Sequence, residues 1–183
     1  MLSGTALESV IRNIPSRPKR DTYFRAMAPK YSSDSLGKRR PIQPKRFNVK
    51  NGSRVLYLAN NHVTCLAEVQ AFGFPSSSVT IVPVQFNLQA VLDLTDPQIL
   101  ATLQLTTNEL AFNFRVLGST SPPAPTQELG ECATASGRID GILFRSLGHP
   151  TGINLAVIET NLRRLGSSLS VSDQKNNLFD TLP

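Results

Sequence analysis

At 183 residues, 40% of them hydrophobic, the chain can bury a sizeable core as one domain without disulfide staples. Its net charge of +6 is unevenly placed, with 13 Lys and Arg against 3 Asp and Glu in residues 1–54. A basic front half suits a phosphate-bearing ligand, a nucleic acid or an acidic partner. No helix-turn-helix, zinc-finger or ribonucleoprotein pattern supports sequence-specific nucleic-acid binding. Cys65 and Cys132 lack the paired spacing of a zinc or redox motif, which favours a reducing setting. No apolar run approaches a membrane span, and Glu8 and Arg12 interrupt the stretch where a signal peptide needs its apolar core. A soluble, cytoplasmic protein without a membrane partner is expected.

Residues 1–21 hold a short helical pattern, Ala6 to Ile14, closed by Pro15 and Pro18, and read as an N-terminal extension. Residues 32–45 are rich in Ser, Lys, Arg and Pro, as in a loop that a ligand would order. Val55 to Ala59 follows the turn signal Asn51-Gly52-Ser53 and reads as a strand, with Val55, Tyr57 and Ala59 on one face and Leu56 and Leu58 on the other. Asn60 or Asn61 then caps a helix in which Val63, Leu66 and Val69 recur, ending near Gly73. Glu68 falls at the edge of that apolar arc, between Thr64 and Phe72 at i−4 and i+4.

Val79 to Leu88 reads as a strand by its β-branched content, with Pro83 marking an edge or bulge and Ala90 to Leu94 as a continuation. Thr95-Asp96-Pro97 starts a helix that Ile99 to Leu105 supplies. Thr106 to Glu109 has the spacing of a capping box, so a short helix is expected against the competing alternation of Phe112, Phe114 and Val116. After a loop over Ser119 to Pro125, Thr126 caps a helix running to about Gly137. Ile139 to Phe144 and Ile153 to Glu159 read as core strands joined through Ser146 to Gly152. From Gly166 the composition turns polar, so residues 166–183 read as a C-terminal tail carrying little core. Strands and helices mix without βαβ alternation, which places the chain in the α+β class with a mixed sheet core and flanking helices.

Three short motifs, Arg46-Phe47-Asn48, Leu56-Tyr57-Leu58-Ala59 and Ala67-Glu68-Val69, resemble the RES domain in order and spacing. Upstream, Tyr23-Phe24-Arg25 and the run Ala28 to Gly37 are similar to the opening of that family. Downstream, so are Leu92 to Thr95, Thr126 to Gly130, Asp140 to Ser146 and Gly152 to Leu155. Taken as a RES-like catalytic domain, the resemblance is assigned to residues 22–165. It implies an architecture similar to ADP-ribosyltransferase toxins, around a dinucleotide cleft. It also implies an NAD-consuming toxin, a glycohydrolase or a phosphorylase, restrained by a paired Xre-type antitoxin. NAD is then a substrate, phosphate a candidate co-substrate, no resident cofactor is needed, and nucleic acid is reached only through the antitoxin. This sequence departs from the family pattern at Gln43-Pro44-Lys45, where glycines are common, at Phe47, often tryptophan, and at Arg145, often proline.

Carried over position by position, the resemblance puts Arg46, Tyr57, Glu68 and Ser146 in the active cleft, with Arg25 as a second arginine and Asn154 in support. The chemistry is coherent. An arginine fork matches a diphosphate, a tyrosine ring stacks on a flat base, and one carboxylate holds ribose hydroxyls. Cleaving the nicotinamide–ribose bond passes through a sugar cation, but the leaving nitrogen is already positive and departs as a neutral base, so no general acid is required. On this reading Arg25 and Arg46 hold the phosphates, Tyr57 packs on the nicotinamide or its ribose, and Glu68 stabilises the transition state. Ser146 bonds the nicotinamide side or steadies Glu68. Taken singly, each residue reads as a surface cation, a core tyrosine, a helix-face charge or a turn serine, and only their joint spacing points to a site. His62 and His149 have no partners at ligand spacing, so no metal is expected. Two other readings stay open: ADP-ribose transfer to an acceptor, and a non-catalytic RES-like module that binds an acidic partner or nucleic acid.

Overall fold

The computed structural model describes residues 1–38, 44–71, 79–112, 122–173 and 178–183. In chain order the elements are α1 (Gly4–Asn13), β1 (Arg17–Met27), a 3-10 turn (Pro29–Asp34), β2 (Val55–Ala59) and α2 (His62–Ala71). They continue with β3 (Thr80–Asp93), α3 (Pro97–Leu103), α4 (Thr107–Ala111), α5 (Pro125–Ser136), β4 (Gly141–Arg145), β5 (Ile153–Ile158), α6 (Glu159–Leu165), β6 (Ser168–Asp173) and β7 (Leu178–Leu182). The strands lie in the order β1-β2-β5-β4-β3-β6-β7, and β1 also pairs with β3. Strands β1, β2, β5, β4 and β3 therefore close a circuit, from which β6 and β7 extend. Of these pairings only β3 with β4 is parallel. The fold is α+β with a mixed sheet core, as the sequence led one to expect.

Side-chain alternation sorts the strands between two apolar clusters. In β2, Leu56 and Leu58 join one cluster with Leu155 and Val157 of β5, while Val55 and Tyr57 pack against the other with Ala156 and Ile158. The second of these also takes Phe47, Ile142, Phe144, and Leu129 and Ala133 of α5. β3 changes parity partway along: Val82, Val84, Phe86 and Leu88 face one cluster, but so does Val91, three residues on. A bulge accounts for this, because Lys19 pairs with Leu88 while Arg17 pairs with Val91. The N–H groups freed at the bulge go to a carboxylate: Gln89 donates to Asp140 Oδ2 (2.8 Å) and Ala90 to Asp140 Oδ1 (3.1 Å). Pro83 sits where, among the described residues, the edge of β3 away from β1 has no strand beside it, the β6 pairing beginning at Gln85.

Local signals account for the short helices. Asp96 caps α3 by accepting from the Gln98 N–H, with Pro97 as its first residue, and Thr106 and Glu109 form the expected reciprocal box on α4. Phe114 and Val116, the rest of the competing alternation, lie outside the described residues. At α5 the expected cap is corrected. Ala124 precedes the helix, its N–H donates to Gln127 Oε1 (3.0 Å), and Thr126 is buried inside the first turn. Pro125 as first helical residue fixes the start two positions earlier than a Thr126 cap would allow.

The chain ends take part in the same clusters. Leu7, Ile11 and Ile14 are buried beside α5, and β1 begins at Arg17. The expectation that residues from Gly166 carry little core is corrected, since Leu169, Val171 and Leu182 are buried. Serines at 168, 170 and 172 alternate with those residues, which lowers the mean hydropathy of a strand that buries only one face. β7 also ties down the segment after the 3-10 turn. Asp180 Oδ2 accepts from Ser35 Oγ (3.1 Å) and the Leu36 N–H (2.9 Å), and Asp180 Oδ1 pairs with Lys38 (2.6 Å). Burial alone would raise the Asp180 carboxyl, but Lys38, the Leu36 N–H and the Ser35 hydroxyl together hold it below its ordinary value. A depressed folded-state value stabilises the protein above the unfolded aspartate range of about 3.9 and is lost as pH falls below it. Urea unfolding from pH 7 into that acid range is expected to show a component of the stability loss that Asp180→Asn removes. An unchanged acid limb in the variant would count against the latch.

Among the described residues no helix is long and apolar enough to cross a membrane.

Candidate active site

The site starts at the junction of β2 and α2. Both expected asparagines act there, with different tasks. Asn61 Oδ1 accepts the Thr64 N–H (2.8 Å) and so caps α2, while Asn60 Oδ1 accepts from the Ile153 N–H (3.1 Å) and Thr64 Oγ1 (3.2 Å), tying the helix start to β5. This fixes the rotation of α2. Thr64 and Cys65 are buried and Val63 is 61% exposed, so the expected arc through Val63 is corrected by one position. The polar bonds of Thr64, rather than apolar periodicity, choose the inward face. Burial pushes the Cys65 thiol up to about 11, so it remains a neutral core group one turn before Glu68.

That rotation brings Glu68 onto β4 and β5. Glu68 Oε1 accepts from Ser146 Oγ (2.6 Å) and from Asn154 Nδ2 (2.7 Å). Asn154 pairs with Ala59 on one side and Phe144 on the other, so its side chain shares the strand face of Phe144 and Ala156. Ser146 follows Phe144 by two residues and shares that face. Both donors are buried, and neither bond uses Oε2.

Arg46 sits on a turn built by its neighbours. The Lys45 N–H donates to the Asn48 carbonyl (2.9 Å), and the Phe47 N–H donates to the Tyr57 hydroxyl (2.8 Å), which in turn donates to Asn48 Oδ1 (3.1 Å). Gln127 Nε2 of α5 donates to the carbonyls of Lys45 (3.0 Å) and Asn48 (3.3 Å). Phe47 is fully buried, edge-on to Phe144 with centroids 4.9 Å apart. The Arg46 guanidinium lies 5.5 Å from the Phe144 centroid and donates through Nη1 to the Leu110 carbonyl. Burial lowers its pKa, against which the charge of Glu68 acts. The same burial pushes the Tyr57 phenol up, which keeps the hydroxyl protonated as a donor.

Gly130 of α5 permits this turn, because a Cβ there would overlap the Phe47 carbonyl. Gly130→Ala gains helix propensity yet forces the turn outward, for an expected net loss of about 2 kcal/mol in urea unfolding. Arg46 should shift with it, since the displaced turn carries that residue. A variant as stable as the parent would show that the turn yields without strain.

The structure thus joins Glu68, Ser146 and Asn154 by direct bonds, sets Arg46 within electrostatic reach of Glu68, and places Tyr57 in support of the Arg46 turn, its ring 4.9 Å beneath Lys45 Nζ. Arg25 is elsewhere. It shares its strand face with Tyr23 and Met27, and its Nη1 donates to the Ser35 carbonyl (2.8 Å) at the end of the 3-10 turn. Sequence reasoning passed over Asn48 and Gln127, whose signals were the third letter of Arg-Phe-Asn and a polar residue in the first turn of an otherwise half-apolar helix.

The RES domain profile matches residues 22–178, and the chain belongs to the RES domain family. The fold is similar to a chain in the crystal structure of the M. tuberculosis MbcT-MbcA toxin-antitoxin complex, with a TM-score of 0.67 and 20% identity over 93% of this chain and 91% of that one. A search of curated proteins gave no match.

Proposed function

We propose that this protein is the toxin of a toxin–antitoxin pair and degrades NAD by cleaving its nicotinamide–ribose bond, with water or phosphate as acceptor. The observation that carries this reading is the single carboxylate of Glu68, oriented through one oxygen by Ser146 and Asn154. Its second oxygen is then directed at a ribose hydroxyl, and the negative charge faces the cation that develops as nicotinamide leaves. Ser146 thereby takes the steadying role, not a contact to nicotinamide. Arg46 carries five N–H donors, of which one is bound among the described residues, to Leu110, and supplies the fork for the diphosphate. Family membership and the likeness to a chain of a toxin–antitoxin complex support the reading. On this reading the partner is an antitoxin of Xre type that blocks the cleft or its entrance through a surface complementary to residues 17–54.

The test is nicotinamide release from NAD by purified protein in buffer with and without phosphate. Release only with phosphate gives phosphorolysis, and release without it gives hydrolysis. Labelled macromolecule in place of free ADP-ribose would replace the reading with ADP-ribose transfer, and no release by folded protein would replace it with a binding module.

A further inference from the structure

The loop between β4 and β5 must hold Ser146 against α2, and two side-chain bonds do this. One is Ser146 to Glu68 (2.6 Å), and the other joins His149 Nδ1 to Thr64 Oγ1 (3.0 Å), one turn before Glu68 on the same helix. The loop lies directly on α2: a Cβ at Gly152 would stand 2.6 Å from Thr64 Oγ1, and one at Gly148 would stand 3.0 Å from the Ala67 carbonyl. Within the loop, the Ser146 N–H donates to the Gly152 carbonyl (2.9 Å) and the Gly152 N–H to the His149 carbonyl (2.9 Å).

The His149 main chain does a second thing. Its N–H donates to Ser146 Oγ (3.0 Å). A backbone N–H only donates, so it occupies a lone pair of the serine and leaves the single hydroxyl proton for Glu68 Oε1. The direction of the Ser146 hydroxyl, and with it the Glu68 oxygen that stays available, depends on where the His149 backbone sits.

We infer that His149 is a positioning residue: its ring clasps the loop to Thr64 of α2 so that its own N–H orients the Ser146 hydroxyl toward Glu68. This rests on the proposed role of Glu68. The ring itself touches neither Glu68 nor Ser146 through a hydrogen bond among the described residues, so its effect on turnover passes through the loop.

Steady-state nicotinamide release separates this from a merely structural loop contact. His149→Ala is expected to lower kcat about tenfold with KM within about twofold, because no proposed substrate contact is removed while the reacting geometry is loosened. An asparagine amide places a hydrogen-bonding atom where Nδ1 stands and a glutamine amide does not, so His149→Asn restores most of the loss and His149→Gln does not. Thr64→Val, which also gives up the bond to Asn60 Oδ1, gives at least that drop, and adding His149→Ala to it gives no further drop. Parental kcat in His149→Ala, or equal behaviour of the Asn and Gln variants, overturns the inference. Amide exchange at residues 149 and 152 of the same proteins reads the clasp without turnover. Faster exchange in the Ala and Gln variants but not in Asn is expected, and unchanged exchange overturns it. If Glu68→Gln keeps full activity, the reading of Glu68 fails by itself, and the exchange data alone decide the clasp.

Discussion

Glu68→Gln is expected to lower nicotinamide release from NAD by about a thousandfold with little change in thermal stability. Glutamine keeps a carbonyl oxygen to accept from Ser146 and Asn154, so the local bonds survive. On the proposed function, what it loses is the negative charge that faces the sugar cation, and removal of one electrostatic stabiliser typically costs two to three orders of magnitude in kcat. The choice of glutamine over alanine follows from the burial of both donors. Alanine would leave the Ser146 hydroxyl and the Asn154 amide unpaired, at roughly 1–3 kcal/mol each, and would mix a folding defect with a catalytic one. Turnover within tenfold of the parent, at matched melting temperature, would remove Glu68 from the chemistry.

The largest stability effect is expected at Asp140, a residue remote from Glu68. Asp140 is fully buried and accepts from the Gln89 and Ala90 N–H groups and, at 2.5 Å, from Ser167 Oγ. Its carboxylate takes the place of a strand at the bulge in β3 and joins that strand to the start of β6. Asp140→Asn turns one acceptor into a donor that faces other donors, so at least one buried N–H or hydroxyl loses its partner and one charge-assisted bond disappears. The expected loss is about 3 kcal/mol, or roughly 10 °C in Tm for a chain of this size. Ser167→Ala, which removes a single donor and leaves the acceptor in place, should cost well under half of that. Equal losses in the two variants would show that the bulge is held by packing instead.

These two carboxylates show which parts of the molecule were legible in the sequence. Glu68 was picked out by its family motif, its expected neighbour Phe72 lying outside the described residues, and the alternation around Tyr57 gave the correct faces of β2, because strand period is a local property. The caps of α3 and α4 were readable for the same reason. The rotation of α2 was not, since Thr64 is chosen as an inward residue by Asn60 and by His149, partners that are distant or polar. Asp140 was noticed only as a landmark of a family motif, and its partners lie about 50 and 27 residues away. The terminal strands were misjudged because a strand buried on one face is half polar by design, and average composition hides the alternation of Leu169 and Val171 with serines. Arg25 shows the opposite limit. Its motif was recognised, yet its guanidinium is bound to the Ser35 carbonyl of a neighbouring turn, an attachment that spacing alone does not reveal.

The circuit of strands bears on the order in which a growing chain becomes active. β2 carries Tyr57 and pairs with β5, whose partner residues lie about a hundred positions later, from Tyr57↔Ala156 to Ala59↔Asn154. β5 in turn stands between β2 and β4, so neither Glu68 nor the Arg46 turn has its full set of supports until the chain has emerged beyond Ile158. Contacts of such separation form late and slowly, after much loop entropy has been lost. On the proposed reading, a ribosome-bound fragment would be harmless to the NAD pool through most of its synthesis. Competence would arrive in a single late step, leaving a neutralising partner a long interval in which to be present before its target matures.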